Sequence, residues 1–177
     1  MMKEIVDQIN NEKITHIFLQ AGVGGMAGAM VAGAARYLEN VPIMIVVEPD
    51  SAACVMESIK SEKIKKINIQ RESLMGGMSC GEPSLVPWQI LKKSVNNCIS
   101  LPDDDIGKTM KLCANASFGD DNIIAGENSA PGIISLIASC NDENIKNKLN
   151  LNSNSKILLI GCEGDTDQEM YKKLLKE

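Results

Sequence analysis

Residues Pro42-Ile43-Met44-Ile45-Val46-Val47-Glu48 run apolar without alternation up to the closing acid. Successive side chains of a strand point to opposite faces of its sheet, so a strand with one face in water alternates apolar and polar residues. An unalternated run means that both faces are covered, as in a parallel sheet packed between helices. Lys156-Ile157-Leu158-Leu159-Ile160 is a second run of this kind, and Thr15-His16-Ile17-Phe18-Leu19 a third, β-rich one. Cys98-Ile99-Ser100-Leu101 is a further strand candidate, and Ile64 to Ile69 a short one.

Helical stretches lie between these runs. The pattern predicts a polar helix or tail over 1–13, a small-residue helix from Ala27 to Leu38, and one opened by Pro49-Asp50-Ser51 that runs to about residue 59. Others follow from Trp88 to Val95, after Asp103-Asp104-Asp105, over Asn128 to Cys140 and Asp142 to Leu149, and in the charged tail. Asp or Ser at a helix start accepts the free N–H groups of the first turn, and acidic groups there meet the positive end of the helix dipole. Strands alternating with helices imply right-handed β-α-β units. The expected fold is α/β: a three-layer α/β/α sandwich with a mostly parallel sheet of four to five strands. Residues 1–177 are read as one domain, with the Asn-rich stretch 141–156 as surface helix and loop.

Composition narrows the function. The net charge is −5 and the pI about 5.0, which argues against nucleic acid as a partner, since such proteins carry a basic stripe. Aromatics are 3% of the chain, too few for base-stacking platforms. No stretch reaches the ~18 apolar residues of a membrane helix, and Met1-Met2-Lys3-Glu4 lacks the pattern of a signal peptide. A soluble, cytoplasmic protein without a membrane partner is expected. Six cysteines without a Cys-x-x-Cys, beside one histidine, argue against zinc. The cysteines read as small buried hydrophobes in a reducing compartment. His16, within an apolar strand, reads as structural. Asp103 to Asp105 read as a helix cap, and Glu163, Asp165 and Asp167 as a solvated turn rather than a cation site. With one histidine and no nucleophile elbow, hydrolase chemistry has little support.

Ligands of open parallel sheets bind outside the carboxyl ends of the strands. Three loops fall there: Ala21 to Gly28, Glu48-Pro49-Asp50, and Gly161 to Thr166. The first follows a strand and opens a helix, and its glycines let backbone approach an anion at a helix N-terminus. The other reading is a tight turn that only allows close strand–helix packing. Gly22-x-Gly24-x-x-Ala27 fits the dinucleotide fingerprint, with Glu48 where a ribose-binding acid belongs. Glu48 could equally serve the site wall or cap the following turn. No Gly-Lys-Ser/Thr follows, so the loop is not a P-loop.

Gln20-Ala21-Gly22-Val23-Gly24-Gly25-Met26-Ala27-Gly28 also resembles the phosphate cup of fold-type II pyridoxal-phosphate enzymes, the tryptophan synthase β and threonine deaminase group. Further stretches follow in that family's order. They are Val47-Glu48-Pro49-Asp50, Cys80-Gly81-Glu82-Pro83 with Trp88, Gly126-Glu127 with Ser129, and Glu163-Gly164-Asp165-Thr166-Asp167. Together they resemble the diaminopropionate ammonia-lyase branch and favour it over the dinucleotide reading. The resemblance implies that the backbone of Gly22, Val23, Gly24, Gly25 and Met26 cradles the phosphate of pyridoxal 5′-phosphate. It places Cys162 where family members carry a Ser or Thr that partners the pyridine nitrogen. A thiol is the weaker hydrogen-bond partner, and Cys162 could equally be a buried filler.

The resemblance further implies α,β-elimination of 2,3-diaminopropionate to pyruvate and ammonia, with the cofactor held by a lysine far upstream of the glycine loop. Lys3 and Lys13, the only lysines before that loop, read as solvated charges. The chain therefore resembles the C-terminal half of such an enzyme. It is expected to be inactive alone and to meet a small amino-acid substrate only with the missing half. A homodimer, or pairing with an upstream N-terminal fragment, is expected. An NAD-type dinucleotide-binding domain and a non-catalytic interaction subunit are the alternatives.

Overall fold

The computed structural model describes residues 1–10, 12–119 and 121–176, so residue 11 of the expected N-terminal helix or tail lies outside the described residues. The apolar runs form one parallel sheet of β1 (His16–Gln20), β2 (Ile43–Pro49), β3 (Asn97–Leu101) and β4 (Ile157–Leu159). The order is β3-β2-β1-β4. β1 is central and wholly buried, pairing His16 with Ile43 on one side and with Ile157 on the other. β2 continues the sheet by pairing Ile45 with Asn97 through Pro49 with Leu101.

Alternate residues of the two central strands feed two cores. Ile17, Leu19, Met44 and Val46 face one, with Ala27, Met30, Val31 and Ala34 of α2 (Gly25–Tyr37), Cys54 and Val55 of α3 (Cys54–Lys60), and Leu91 of α4 (Leu85–Ser94). Met2 of α1 (Met2–Gln8) closes that side. Phe18, Ile45 and Val47 face the other core, with Ile106 and Met110 of α5 (Ile106–Ala114), Ala130 of α6 (Ala130–Asn141) and Leu174 of α8 (Gln168–Leu174). α7 (Glu143–Lys148) lies along α6. The result is the three-layer α/β/α sandwich, with four strands.

Local readings are corrected in three places. Ile64 to Ile69 is not a strand: among the described residues no strand lies beside it, and its backbone is tied instead by Ile67 N–H to the Gly81 carbonyl at 2.8 Å and by Lys65 N–H to Ser58 Oγ at 2.9 Å. Asp50 and Ser51 do not cap α3, because a 3₁₀ turn over Asp50–Ala52 delays the helix to Cys54. Asp105 precedes α5 but makes no side-chain cap bond, and Asp103 turns back to accept from Ser73 Oγ at 2.5 Å and Leu74 N–H at 3.0 Å. The histidine reading is clear: His16 is buried, its Nε2 donates to the Leu149 carbonyl at 2.8 Å, and Nδ1 lies 2.7 Å from Thr15 Oγ1. Among the described residues no helix is long and apolar enough to cross a membrane.

Candidate functional site

The chain leaves β1 outward through β2 to β3 and returns on the far side as β4. The strand order therefore reverses between β1 and β4, and in such sheets the loops leaving the two strands diverge and open a crevice. A cleft of about 220 Å³ lies there, lined by Gln20 to Met26, Gly77, Met78 and Cys162. All six residues assigned to a cofactor from the sequence, Gly22, Val23, Gly24, Gly25, Met26 and Cys162, are on its wall.

The glycine end of the cleft is built from backbone. Gly24 is the N-cap of α2 at φ 86°, a left-handed conformation that favours glycine. The first bond in the helix runs from Gly28 N–H to the Gly24 carbonyl, so the N–H groups of Gly25, Met26 and Ala27 have no partner in the preceding turn. These free donors and the helix dipole suit an anion. A Cβ on Gly25 would meet nothing within 4 Å, whereas one on Gly22 would lie 2.7 Å from the Gly77 carbonyl oxygen. Gly22 is thus pressed against the opposite wall, and Gly25 faces open space at the cleft.

That opposite wall is the 3₁₀ turn Gly76–Met78. It belongs to a connection between α3 and α4 that Asp103 anchors through Ser73 and Leu74. Arg71 adds an exposed ion pair to Asp50 at 3.6 Å, which contributes little, and a longer one to the half-buried Asp103 at 3.8 Å. The floor is the end of β1. Gln20, 3% exposed, donates from Nε2 to the Ile160, Asn128 and Ser129 carbonyls at 2.7, 3.2 and 3.4 Å. Its Oε1 is buried without a partner.

Cys162 closes the remaining side, its thiol 3.4 Å from the Asn128 carbonyl. The residue is exposed as a whole, yet burial of the sulfur raises its pKa above the usual thiol value. It therefore presents S–H, a weak donor, beside the cleft. Neither it nor Cys140 is the buried filler that the sequence suggested for the cysteines, whereas Cys54 and Cys113 are. Glu163 accepts from Asn128, and Asp167 caps α8 by accepting from Glu169 and Met170 N–H at 3.1 and 2.9 Å.

Glu48 is not available to a ligand. It is fully buried, and its two oxygens accept from Val55 and Met56 N–H, each at 2.7 Å. The dinucleotide reading thereby loses its ribose-binding acid. Among the described residues no lysine lines the cleft. Lys13 lies beside Tyr37 and Leu38, at the opposite end of α2, and Lys3 is paired with Asp7 at 2.6 Å on α1. The sequence reading missed Gln20, Gly77, Met78 and Asn128 as site residues. The Gly76-Gly77 pair left a trace there as a loop signal, and Gln20 stood there only as the first residue of the glycine stretch, without a role of its own.

Comparison with known proteins agrees with this geometry. The sequence pattern of the family described as pyridoxal-phosphate dependent enzyme matches residues 1–163. The diaminopropionate ammonia-lyase of Escherichia coli strain K12 is 34% identical over 184 residues, covering 98% of this chain and 45% of that protein. The chain thus spans about half the length of the curated relatives it matches. Among solved structures, the Escherichia coli diaminopropionate ammonia lyase in complex with an aminoacrylate-PLP azomethine reaction intermediate superposes with a TM-score of 0.84 at 32% identity, covering 98% of this chain and 46% of that one. Maize serine racemase shares the fold, with a TM-score of 0.76 at 20% identity, 97% of this chain and 52% of that one.

Proposed function

The chain belongs to the family of pyridoxal-phosphate-dependent enzymes, and from that premise we propose that it forms the phosphate-gripping part of a diaminopropionate ammonia-lyase site. One observation carries the reading: a glycine-walled cleft at the switch point of the sheet, with free N–H groups at the start of α2 and an open side at Gly25. The residues fit pyridoxal 5′-phosphate. Gly25, Met26 and Ala27 N–H would hold the phosphate, and Gly22 and Gly24 allow the backbone to come close. The Cys162 thiol would face the ring nitrogen as a weaker partner than a hydroxyl. When bound, the ring is the electron sink for loss of the β-amine from a 2,3-diamino acid, with pyruvate and ammonia as products.

This chain's share of that chemistry is binding and orientation. The absence of lysine from the cleft wall supports a cofactor-bearing lysine, and the proton-transfer groups with it, in the part of the relatives' length that this chain does not span. The edge of the cleft supports a covering surface as well. Val23 lies on its wall, and Ser84 N–H donates to the Val23 carbonyl at 2.9 Å, placing Leu85 and Val86 beside it at 70% and 71% exposure. Exposed aliphatic groups at such a rim favour association, with that remaining polypeptide or with a second copy. Six free cysteines fit a reducing, cytoplasmic setting.

The test is a titration with pyridoxal 5′-phosphate, following melting temperature and absorption together. The chain is expected to be stabilised and to release no pyruvate from 2,3-diaminopropionate by itself. Gly25→Leu fills the open side with a helix-forming residue. It is expected to leave the ligand-free melting temperature unchanged and to weaken cofactor binding at least about tenfold. Equal stabilisation of both proteins would show that the ligand binds elsewhere, and stabilisation by NAD in place of pyridoxal 5′-phosphate would sink the reading.

A further inference from the structure

Asn128 is bonded to three sides of the cleft, all but the glycine end at α2. Its backbone N–H and its Nδ2 both donate to Glu163 Oε2, at 3.0 and 2.7 Å. Its Oδ1 accepts from Gly77 N–H at 3.1 Å. Its carbonyl accepts from Gln20 Nε2 at 3.2 Å and from the Cys162 thiol at 3.4 Å. One residue thus ties the floor at the end of β1, the loop after β4 and the turn at Gly77. The amide group is required: it offers an acceptor to a backbone N–H and a donor to a carboxylate at the same time. Asp has the acceptor without the donor, and Ala has neither.

We propose that Asn128 is a positioning residue that sets the separation between the Gly77 wall and Cys162, and so the width of the slot for the flat ring of the cofactor. The proposal rests on the cofactor reading above. Asn128 acts through Gly77 and Cys162, which line the cleft, and itself holds no ligand. Its bonds reach the ring end of the slot and none of the first-turn N–H groups of α2. Removing it therefore separates two affinities, one for the whole cofactor and one for its phosphate alone.

The experiment compares pyridoxal 5′-phosphate with inorganic phosphate by thermal shift on the full chain, for wild type, Asn128→Ala, Asn128→Asp and the double variant Asn128→Asp/Glu163→Gln. In Asn128→Ala the half-saturating concentration of pyridoxal 5′-phosphate is expected to rise about tenfold, the value of the lost half-buried bond to the Glu163 carboxylate, with that of phosphate unchanged. Asn128→Asp sets two carboxylates against each other, so its defect is expected to shrink as the pH falls toward the carboxylate range. In the double variant the side-chain nitrogen introduced at 163 donates to the carboxylate introduced at 128, but it stands where Glu163 Oε2 also accepted the backbone N–H of residue 128, so cofactor affinity is expected to be regained only in part. An unchanged cofactor affinity in Asn128→Ala, with wild type binding normally, overturns the proposal alone. Equal weakening for cofactor and phosphate also overturns it, by showing a role in holding the fold only. Failure of wild type to bind pyridoxal 5′-phosphate overturns the cofactor reading and the proposal with it.

Discussion

Replacing Glu48 with alanine is expected to cost about 3 kcal/mol of stability, read as a fall of about 10 °C in Tm for a chain of this size. The carboxylate is fully buried beneath the first turn of α3, where Val55 and Met56 N–H have no carbonyl to reach and Ala53 at the cap position offers no side chain. Alanine leaves the buried Val55 donor and the half-buried Met56 donor unpaired, the first at about 1–3 kcal/mol and the second at less, and leaves a cavity besides. α3 is short, so nothing further along it can hold its first turn in place.

The same group makes stability depend on pH. Burial pushes the Glu48 pKa up to about 7 from its ordinary 4.5, with Glu57 adding to the rise and the bonds from Val55, Met56 and the Cys54 side chain opposing it. The folded chain therefore keeps this proton where the unfolded chain has lost it. Below about pH 4.5 both states are protonated and Glu48 contributes no slope. Between there and pH 7 stability falls as pH rises, and above pH 7 the loss is complete. At about 1.4 kcal/mol per pH unit the decline totals about 3 kcal/mol. Glu57, held down to about 2 by hydrogen bonds from Lys65 and Lys60, loses its contribution only as pH falls from the ordinary value toward 2, outside this window. Glu48→Gln cannot titrate and loses one of the two acceptors. It is expected to be less stable than wild type at pH 5 and to close most of that gap by pH 8. Urea unfolding across this range checks the prediction, and parallel curves for the two proteins would refute it.

The fold was legible where one local rule decides. The unalternated run around Val46 had to lie between two layers, and it became β2 with both faces in core. Ile64 to Ile69 failed because a strand needs a neighbour: Lys65 and Lys66 interrupt its apolar residues, and β3 ends the sheet on that side. Glu48 carried several readings in sequence. The 3₁₀ turn after it decided between them by moving α3 out of reach of Asp50, which faces Arg71 instead. The glycine loop was visible because its need is local, a left-handed cap at a helix start. Asn128 and Gln20 were not, because their partners lie up to 108 and 140 positions away, and only the returning strand β4 brings them together.

Gly22→Val is expected to destabilise the chain by about 2–3 kcal/mol and to abolish cofactor binding, a combination that Gly25→Leu does not share. A Cβ at Gly22 would stand 2.7 Å from the Gly77 carbonyl oxygen, 2.9 Å from Cys80 Sγ and 3.2 Å from Met78 Cα. Two of these neighbours are backbone, so no rotamer change relieves the overlap. The turn must move away from β1, and two consequences follow. Met78 and Met75, buried at the edge of the second core, lose their packing, and Gly77 N–H withdraws from Asn128 Oδ1. The first accounts for the stability loss and the second for the widened slot. Alanine brings the same Cβ without the added methyl groups and is expected to give a milder form of both effects. Urea unfolding measures the first consequence, and hydrogen exchange at the Gly77 amide, faster in the variant than in wild type, measures the second. An unchanged exchange rate beside lost binding would mean that the valine methyls block the ligand directly, and that the wall at Gly77 yields elsewhere.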